Sequence, residues 1–190
     1  TIFHTEKDYR HFESLLQEAK ELTDMRILAY TIMPNHFHLV LYPRNDGDMS
    51  EFMRWLTTTH VRQRRVQTKS IGYGALYQGA YKSFIVEEDK HLVDLLRYVE
   101  QNPLRAKLVK RAEDWQWGSL YRRQQGTAKE KKLLDALPTC RLLRLLARVD
   151  HAARDLPRPL VGQEPVPPDQ QHAHLNWHVA VLAVVHDHVV

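Results

Sequence analysis

The stretch YTIMPNHFHLVLYP, from Tyr30 to Pro43, places two histidines one residue apart in an otherwise apolar run. Residues 26–33 are rich in apolar side chains and predict a β-strand. Pro34 and Asn35 predict a turn, because proline has no backbone donor for a ladder and asparagine tolerates turn geometry. From His36 to Tyr42 apolar and other residues alternate, which predicts a second strand. The two strands and their turn form a β-hairpin.

The two histidines are the unusual feature of the second strand. Side chains at positions i and i+2 of a strand leave the same face, so His36 and His38 share one patch of the sheet. Two neutral imidazoles that converge can bind a divalent cation if an oxygen ligand completes the site. The alternative is one hydrogen-bonded core histidine and one histidine at the rim, and a His-x-His pattern alone is more often of that kind.

Periodicity predicts the elements outside the hairpin. Thr5 and Asp8 have the spacing of a capping box in front of the first helix. The helix that begins near Lys90 should end at Asn102, because Pro103 disfavours helical geometry in the residue before it. A shorter helical piece is expected to follow at about residues 104–110. The predicted elements are helices over residues 6–22, 49–67 and 90–102 and a strand over residues 81–86.

Composition sets the number of domains and the compartment. The chain has 190 residues, of which 43% are hydrophobic, enough for one domain with a packed core. No apolar run has the length of about 18 residues that a membrane span needs, so we expect a cytoplasmic protein without a membrane partner. Cys140 is the single cysteine, which excludes an internal disulfide and a multi-cysteine zinc site.

The composition changes after about Leu137. The segment LPRPLVGQEPVPPDQQ carries five prolines, and a histidine-rich and valine-rich end follows it. Such proline-rich stretches are typical of linkers or disordered segments. We therefore divide the chain into a domain over residues 1–137 and a tail over residues 138–190 that we expect to be disordered. The tail histidines in QHAHLNWH and HDH are expected to be adventitious rather than a second metal site.

Positive charge is concentrated in the middle of the chain. Residues 51–111 contain 12 Lys and Arg against 6 Asp and Glu, whereas residues 1–50 contain 5 against 8. Basic side chains attract nucleic acid through its phosphates, and aromatic side chains stack on its bases. A solvated helix face with a packing loop is the alternative. The candidates for gripping a single-stranded or hairpin DNA are Arg62, Arg64, Arg65, Lys69, Tyr73 and Tyr77.

The helix over residues 90–102 offers a second chemical group. Tyr98 and Asn102 are four residues apart on one flank of its apolar stripe, so a phenol and an amide approach the sheet together. An ordinary amphipathic tyrosine beside a C-terminal asparagine is the alternative interpretation.

Three segments together resemble the IS200-like single-tyrosine transposases, and most closely those associated with repetitive extragenic palindromes (REP). The segments are YTIMPNHFHLVL (30–41), LYQGAYKSFIVEEDKHLVDLLRYVEQNPLRAKLV (76–109) and AEDWQWGSL (112–120). The resemblance spans about residues 1–125. It implies an α+β fold, a ferredoxin-like antiparallel sheet with helices on one face and the metal site on the other.

The resemblance also implies roles for four residues. His36 and His38 match the family's histidine–hydrophobic–histidine (HUH) motif and Asn102 the amide that completes its metal site, for which Mg²⁺ or Mn²⁺ is expected. Tyr98 matches the nucleophile that cuts DNA through a 5′-phosphotyrosine and allows rejoining. Whether the protein acts as a monomer or a homodimer stays open.

The chain departs from the family at its beginning. Relatives have another strand before the first helix, so the resemblance implies a sheet that lacks its leading strand. A truncated or domesticated relative that binds DNA hairpins without cutting is therefore an alternative. A third hypothesis, an unrelated metal-dependent hydrolase, lacks an obvious carboxylate-rich cluster in the sequence.

Overall fold

The computed structural model describes residues 1–68, 76–77, 81–87, 90–137 and 179–186, and for 84–87, 90–91 and 179–186 it describes the backbone alone. The helices are α1 (Glu6–Thr23), α2 (Asp48–Thr68), α3 (Lys90–Arg105), α4 (Ser119–Gln125) and α5 (Ala128–Lys131). The strands are β1 (Arg26–Ile32), β2 (His36–Tyr42), β3 (Lys82–Glu87) and β4 (Val179–His186). They form one antiparallel sheet in the order β1-β2-β4-β3, which confirms the predicted α+β class. Among the described residues, no helix combines the length and apolarity of a membrane span.

The hairpin that the sequence predicts forms the first half of the sheet. The amide of Met33 donates to the carbonyl of His36 at 2.8 Å, which closes the turn. Thr31 pairs with His38 across the ladder. All residues of β1 and β2 except the first of each strand are buried. Both faces of the hairpin must therefore be covered.

Helices cover the sheet from both sides. On one face, α1 and α2 pack against residues of the hairpin that include Phe37 and Leu39. On the other face, α3 packs through Leu92, Leu96 and Val99 against a patch that contains Val40. The structure thus differs from the expectation of helices on one face. The reason lies in β2, whose second face is also apolar, so that leaving it in water would forfeit the free energy of burial.

The fourth strand of the sheet comes from the segment that composition assigned to the tail. β4 lies between β2 and β3 and pairs antiparallel with both, with Ala183 opposite Leu39 and Ser83. Its sequence, VAVLAVVH, is the apolar and β-branched kind of run that suits a strand with neighbours on both sides. The disorder expected of the tail does not extend to these eight residues. Within the described residues no strand precedes α1, as the resemblance implied. The division of the chain at Leu137 stays a prediction.

The outer edge of β1 is covered by the segment that follows α3. Ile32 donates its amide to the carbonyl of Trp117 at 2.9 Å and accepts the indole N–H of Trp115 at 3.1 Å. At the other end, Ile27 exchanges two hydrogen bonds with Asp135, both at 2.9 Å. An edge covered in this way is not open to pairing with another chain.

Two adjacent arginines of α4 tie the two helical layers together. Arg122 bonds both carboxylate oxygens of Glu13 in α1, at 3.0 and 2.6 Å. Arg123 bonds the buried carboxylate of Glu100 in α3 at 2.5 Å and also the carbonyl of Leu28 in β1. Burial raises the pKa of Glu100 even though Arg123 and the Ser119 hydroxyl act in the opposite direction. α4 therefore fixes α3 relative to the sheet.

Pro103 lies inside α3 rather than after it, so the predicted end of this helix at Asn102 is wrong. A proline at position 103 cannot donate to the carbonyl four residues earlier, that of Val99. This carbonyl instead accepts the hydroxyl of Thr31 in β1 at 2.8 Å. The hydrogen bond from the sheet replaces the missing helical one, and it holds α3 against β1 next to Tyr98.

This replacement can be tested with a double-mutant cycle. Thr31→Val keeps the shape of the side chain but leaves the Val99 carbonyl without its donor, and should lower the free energy of unfolding by about 1–3 kcal/mol. In a Pro103→Ala background the alanine amide can donate to Val99, so the same change should cost less. Urea unfolding of the four proteins measures the difference. An equal cost of Thr31→Val in both backgrounds would contradict the account.

The place of β4 in the sheet predicts the effect of a proline there. Ala183→Pro in the full chain removes an amide donor from a strand with neighbours on both sides. The free energy of unfolding should fall by about 1–3 kcal/mol for each backbone group left without a partner. Thermal unfolding followed by circular dichroism measures the effect. Unchanged stability would show that β4 does not contribute to the folded sheet.

Candidate active site

The two histidines of β2 converge on one point. The Nε2 atoms of His36 and His38 are 3.1 Å apart, and the two rings are nearly perpendicular, at 85°. His38 is buried, and His36 is partly exposed at the start of the strand. Two nitrogens that each lie about 2.1 Å from one cation are about 3.0–3.4 Å apart. The two imidazoles are within hydrogen-bonding distance of each other, and the same spacing also fits two ligands of a single ion.

Asn35, the turn residue before β2, sets the protonation of the first imidazole. Its Oδ1 accepts a hydrogen bond from Nδ1 of His36 at 2.8 Å. Because Nδ1 then carries the proton, Nε2 of His36 presents its lone pair toward His38. The turn that begins the strand thus also orients one of the two candidate ligands.

α3 brings Tyr98 to the same face of the sheet. The Tyr98 ring lies edge-on to the His38 ring, with centroids 5.9 Å apart and an interplanar angle of 83°. The neighbouring residue Val99 is fully buried and is held by Thr31, whereas Tyr98 is only partly buried. The fold therefore places a phenol beside His38, and its role as the nucleophile stays a prediction.

Asn102 lies one turn after Tyr98, and its contacts are with its own helix. Its Nδ2 donates to the carbonyl of Tyr98 at 2.7 Å. The amide oxygen is thus the remaining acceptor of this side chain. Its role as a third ligand stays a prediction.

One residue of the site was missed by the sequence analysis. The guanidinium of Arg105 lies over the Tyr98 ring, with Cζ 5.1 Å from the ring centroid. The signal was present in the spacing, because residues at i, i+4 and i+7 lie on one flank of a helix and Tyr98, Asn102 and Arg105 have that spacing. Ending the helix at Asn102 hid it.

The arginines proposed to bind DNA lie apart from the histidine pair. Arg62 and Arg65 belong to α2, which covers the opposite face of the sheet. Arg64 forms a largely buried ion pair with Asp8 of α1, with side-chain exposures of 15% and 10%. That ion pair joins α1 to α2, so Arg64 is engaged in the packing of the helices rather than displayed on an outer face.

Tyr77 is also in the core rather than at a surface for base stacking. Its hydroxyl is hydrogen-bonded to Nδ1 of His60, and its ring contacts Phe37 edge-on at 5.9 Å. Burial lowers the pKa of His60 to about 3, so this histidine is neutral and its Nδ1 accepts a hydrogen bond from the Tyr77 hydroxyl. Burial also holds the pKa of Tyr77 well above its usual range. Lys69 and Tyr73 lie outside the described residues.

The described part of the chain offers no larger cluster of metal-binding side chains than the histidine pair. There, no group of three or more His, Cys, Asp or Glu side chains is placed to hold an ion. A cation at this site would therefore depend on the two imidazoles with oxygen ligands such as an amide and a phosphate. Mg²⁺ and Mn²⁺ accept such oxygen ligands, and imidazole is also a ligand for first-row metals.

The comparisons with known proteins identify the family of the chain. The family described as Transposase IS200 like matches residues 1–102, more than half of the chain, and the chain belongs to that family. Over 124 residues it is 25% identical to a candidate REP-associated tyrosine transposase of Haemophilus influenzae, covering 60% of this chain and 70% of that protein. No solved structure matches the chain. The family match includes His36, His38, Tyr98 and Asn102.

Metal titration tests the histidine pair directly. The His36→Ala/His38→Ala variant should lose Mn²⁺ binding, whereas Asn35→Ala should weaken it by about 10-fold, because the orienting partner of a ligand contributes that much. Free Mn²⁺ is counted by its electron paramagnetic resonance signal. His4→Ala, at an exposed histidine before α1, is the control. Unchanged Mn²⁺ affinity in the folded double variant would remove the pair from consideration.

Proposed function

We propose that this IS200-like transposase is a metal-dependent single-tyrosine nuclease and strand transferase that cuts and rejoins DNA through a 5′-phosphotyrosine. The observation that carries the proposal is the contact between the Tyr98 ring and the His38 ring, whose Nε2 lies 3.1 Å from that of His36. The phenol of Tyr98 and two convergent imidazoles lie side by side on one face of the sheet. A DNA phosphodiester bound there can meet both.

The proposed chemistry is an exchange of one phosphodiester for another. The Tyr98 oxygen forms a bond to phosphorus as the phenol proton is lost, and the bond from phosphorus to the 3′-oxygen breaks. The leaving oxygen takes up a proton and becomes a free 3′-hydroxyl. The 3′-hydroxyl of another strand can attack the phosphotyrosine in the reverse sense, which restores Tyr98 and joins the strands.

The residues that would hold the divalent cation are His36 and His38, with the amide oxygen of Asn102. When bound, a cation such as Mg²⁺ or Mn²⁺ supplies charge that polarises a non-bridging phosphate oxygen. The protein positions the reacting groups, because α3 is held to the sheet by the Thr31 hydroxyl and by Arg123. Positioning of this kind accounts for a large part of the barrier reduction in phosphoryl transfer.

Single-stranded or hairpin DNA is the proposed substrate, in a cytoplasmic location. The basic middle of the chain supports it, since its charge favours phosphate contacts and predicts an affinity that falls steeply with salt. Arg62 and Arg65 of α2 lie on the far side of the sheet from Tyr98. They are therefore proposed to contact DNA that flanks the reacting phosphate. A homodimer is compatible with this arrangement and is not required by it.

The nucleophile is tested by Tyr98→Phe, which removes one oxygen and keeps the ring beside His38. The protein should fold and bind DNA, and the covalent adduct with a single-stranded palindromic DNA should disappear. Denaturing gels with labelled DNA detect the adduct, and peptide mapping locates it.

Tyr42→Phe is the matched control, because Tyr42 is buried on the same face of β2. It should form adduct at the wild-type rate. An adduct that persists in Tyr98→Phe, or that maps to another tyrosine, would overturn the mechanism. Binding of hairpin DNA by a wild-type protein that never forms an adduct would favour the binding protein without cutting activity.

A further inference from the structure

Arg105 is the guanidinium that lies against the candidate nucleophile. It is exposed in the last turn of α3, with Cζ 5.1 Å from the centre of the Tyr98 ring. The Tyr98 ring also contacts the ring of His38, with the two centroids 5.9 Å apart. Tyr98 is thus in contact with one candidate metal ligand and one permanent positive charge.

Several arginines of the described residues form ion pairs with carboxylates. Arg64 pairs with Asp8, and Arg122 and Arg123 pair with buried carboxylates of α1 and α3. Arg111, in the turn after α3, pairs with Glu113. Arg105 lies over the face of an aromatic ring, as Arg26 of β1 does over Tyr42. A guanidinium stacked on a ring keeps its N–H donors at its edge, where they can reach an anion.

We propose that Arg105 binds a non-bridging oxygen of the phosphodiester that Tyr98 attacks. This inference rests on the function proposed above. As the phenol oxygen bonds to phosphorus, negative charge builds on the phosphate oxygens, and a guanidinium fork is suited to bind two of them. Stacking on Tyr98 positions the donors before the reaction, so little reorganisation is needed when the charge develops.

A structural role is the competing explanation. A positive side chain in the last turn interacts favourably with the helix dipole, and stacking on Tyr98 could merely hold the ring. These two roles do not depend on the charge of the phosphate. A contact between Arg105 and the phosphate does depend on that charge. Removing the charge from the phosphate therefore separates phosphate binding from the two structural roles.

The test compares a normal phosphodiester with a methylphosphonate, which is neutral, at the linkage that the wild-type protein cuts. On normal DNA, Arg105→Gln should slow adduct formation by about 10²–10³-fold, the usual effect of removing one donor from an anionic transition state. Arg105→Lys should recover part of the rate, because it keeps the charge without the fork. Arg10→Gln, an exposed arginine of α1 paired with Glu6, is the control for net charge and should react like wild type.

On the methylphosphonate, the ratio of wild-type to Arg105→Gln rates should fall to near one. The same comparison is made for DNA binding in Tyr98→Phe proteins, so that a methylphosphonate that is not cut still gives an answer. In the Tyr98→Phe background, Arg105→Gln should weaken binding of the DNA with the normal phosphodiester and should leave binding of the methylphosphonate DNA unchanged. Equal penalties on charged and neutral linkages, or no penalty on either, would overturn the inference.

The failure of this inference differs from the failure of the proposed function. If wild type forms an adduct and Arg105→Gln forms it at the same rate, the role of Arg105 is wrong and the proposed function stands. If wild type forms no adduct with any single-stranded or hairpin DNA, the proposed function fails and the role of Arg105 fails with it.

Discussion

Burial of β2 on both faces is the constraint from which the site follows. Phe37, Leu39 and Leu41 bind this strand to the layer of α1 and α2, as expected for a sheet with helices on one side. Val40 and Tyr42 are apolar as well, and they share their face with His36 and His38. The second face therefore needs a cover, and α3 supplies it. A helix that must pack there necessarily carries its own side chains to the histidines.

The position of α3 on that face is fixed by polar contacts rather than by apolar packing alone. An apolar stripe allows a helix to slide, whereas a hydrogen bond has one geometry. The Thr31 hydroxyl bonds the carbonyl that Pro103 leaves without a helical donor, and Thr31 is itself the ladder partner of His38. The residue that anchors α3 is thus a direct neighbour of a candidate ligand. On the other flank, Arg123 joins Glu100 of α3 to the backbone of β1.

The hairpin and the histidine pair could be predicted from the sequence because both depend on local periodicity. β2 was predicted with the bounds that the structure has, and the i, i+2 spacing placed His36 and His38 together. What could not be predicted depends on distant partners. Pro103 is tolerated within α3 because of the hydroxyl of Thr31, 72 positions earlier in the chain. Tyr77 is buried in the core, where its hydroxyl is hydrogen-bonded to His60. β4 was not predicted, because the composition of residues 138–190 indicated disorder and contains no information on the strands with which a segment can pair.

The central claim is that the Tyr98 phenol and the cation held by the histidine pair occupy one site. The most direct measurement is the broadening by Mn²⁺ of the ¹⁹F signal of 3-fluorotyrosine placed at position 98. Fluorotyrosine at Tyr9, which packs with Phe3 and Trp117 on the opposite face of the sheet, is the reference. The account predicts that Mn²⁺ removes the signal at position 98 at concentrations that leave the signal at position 9 intact, and that His36→Ala/His38→Ala abolishes this difference. Equal broadening at the two positions, or broadening that survives in the double variant, would contradict it.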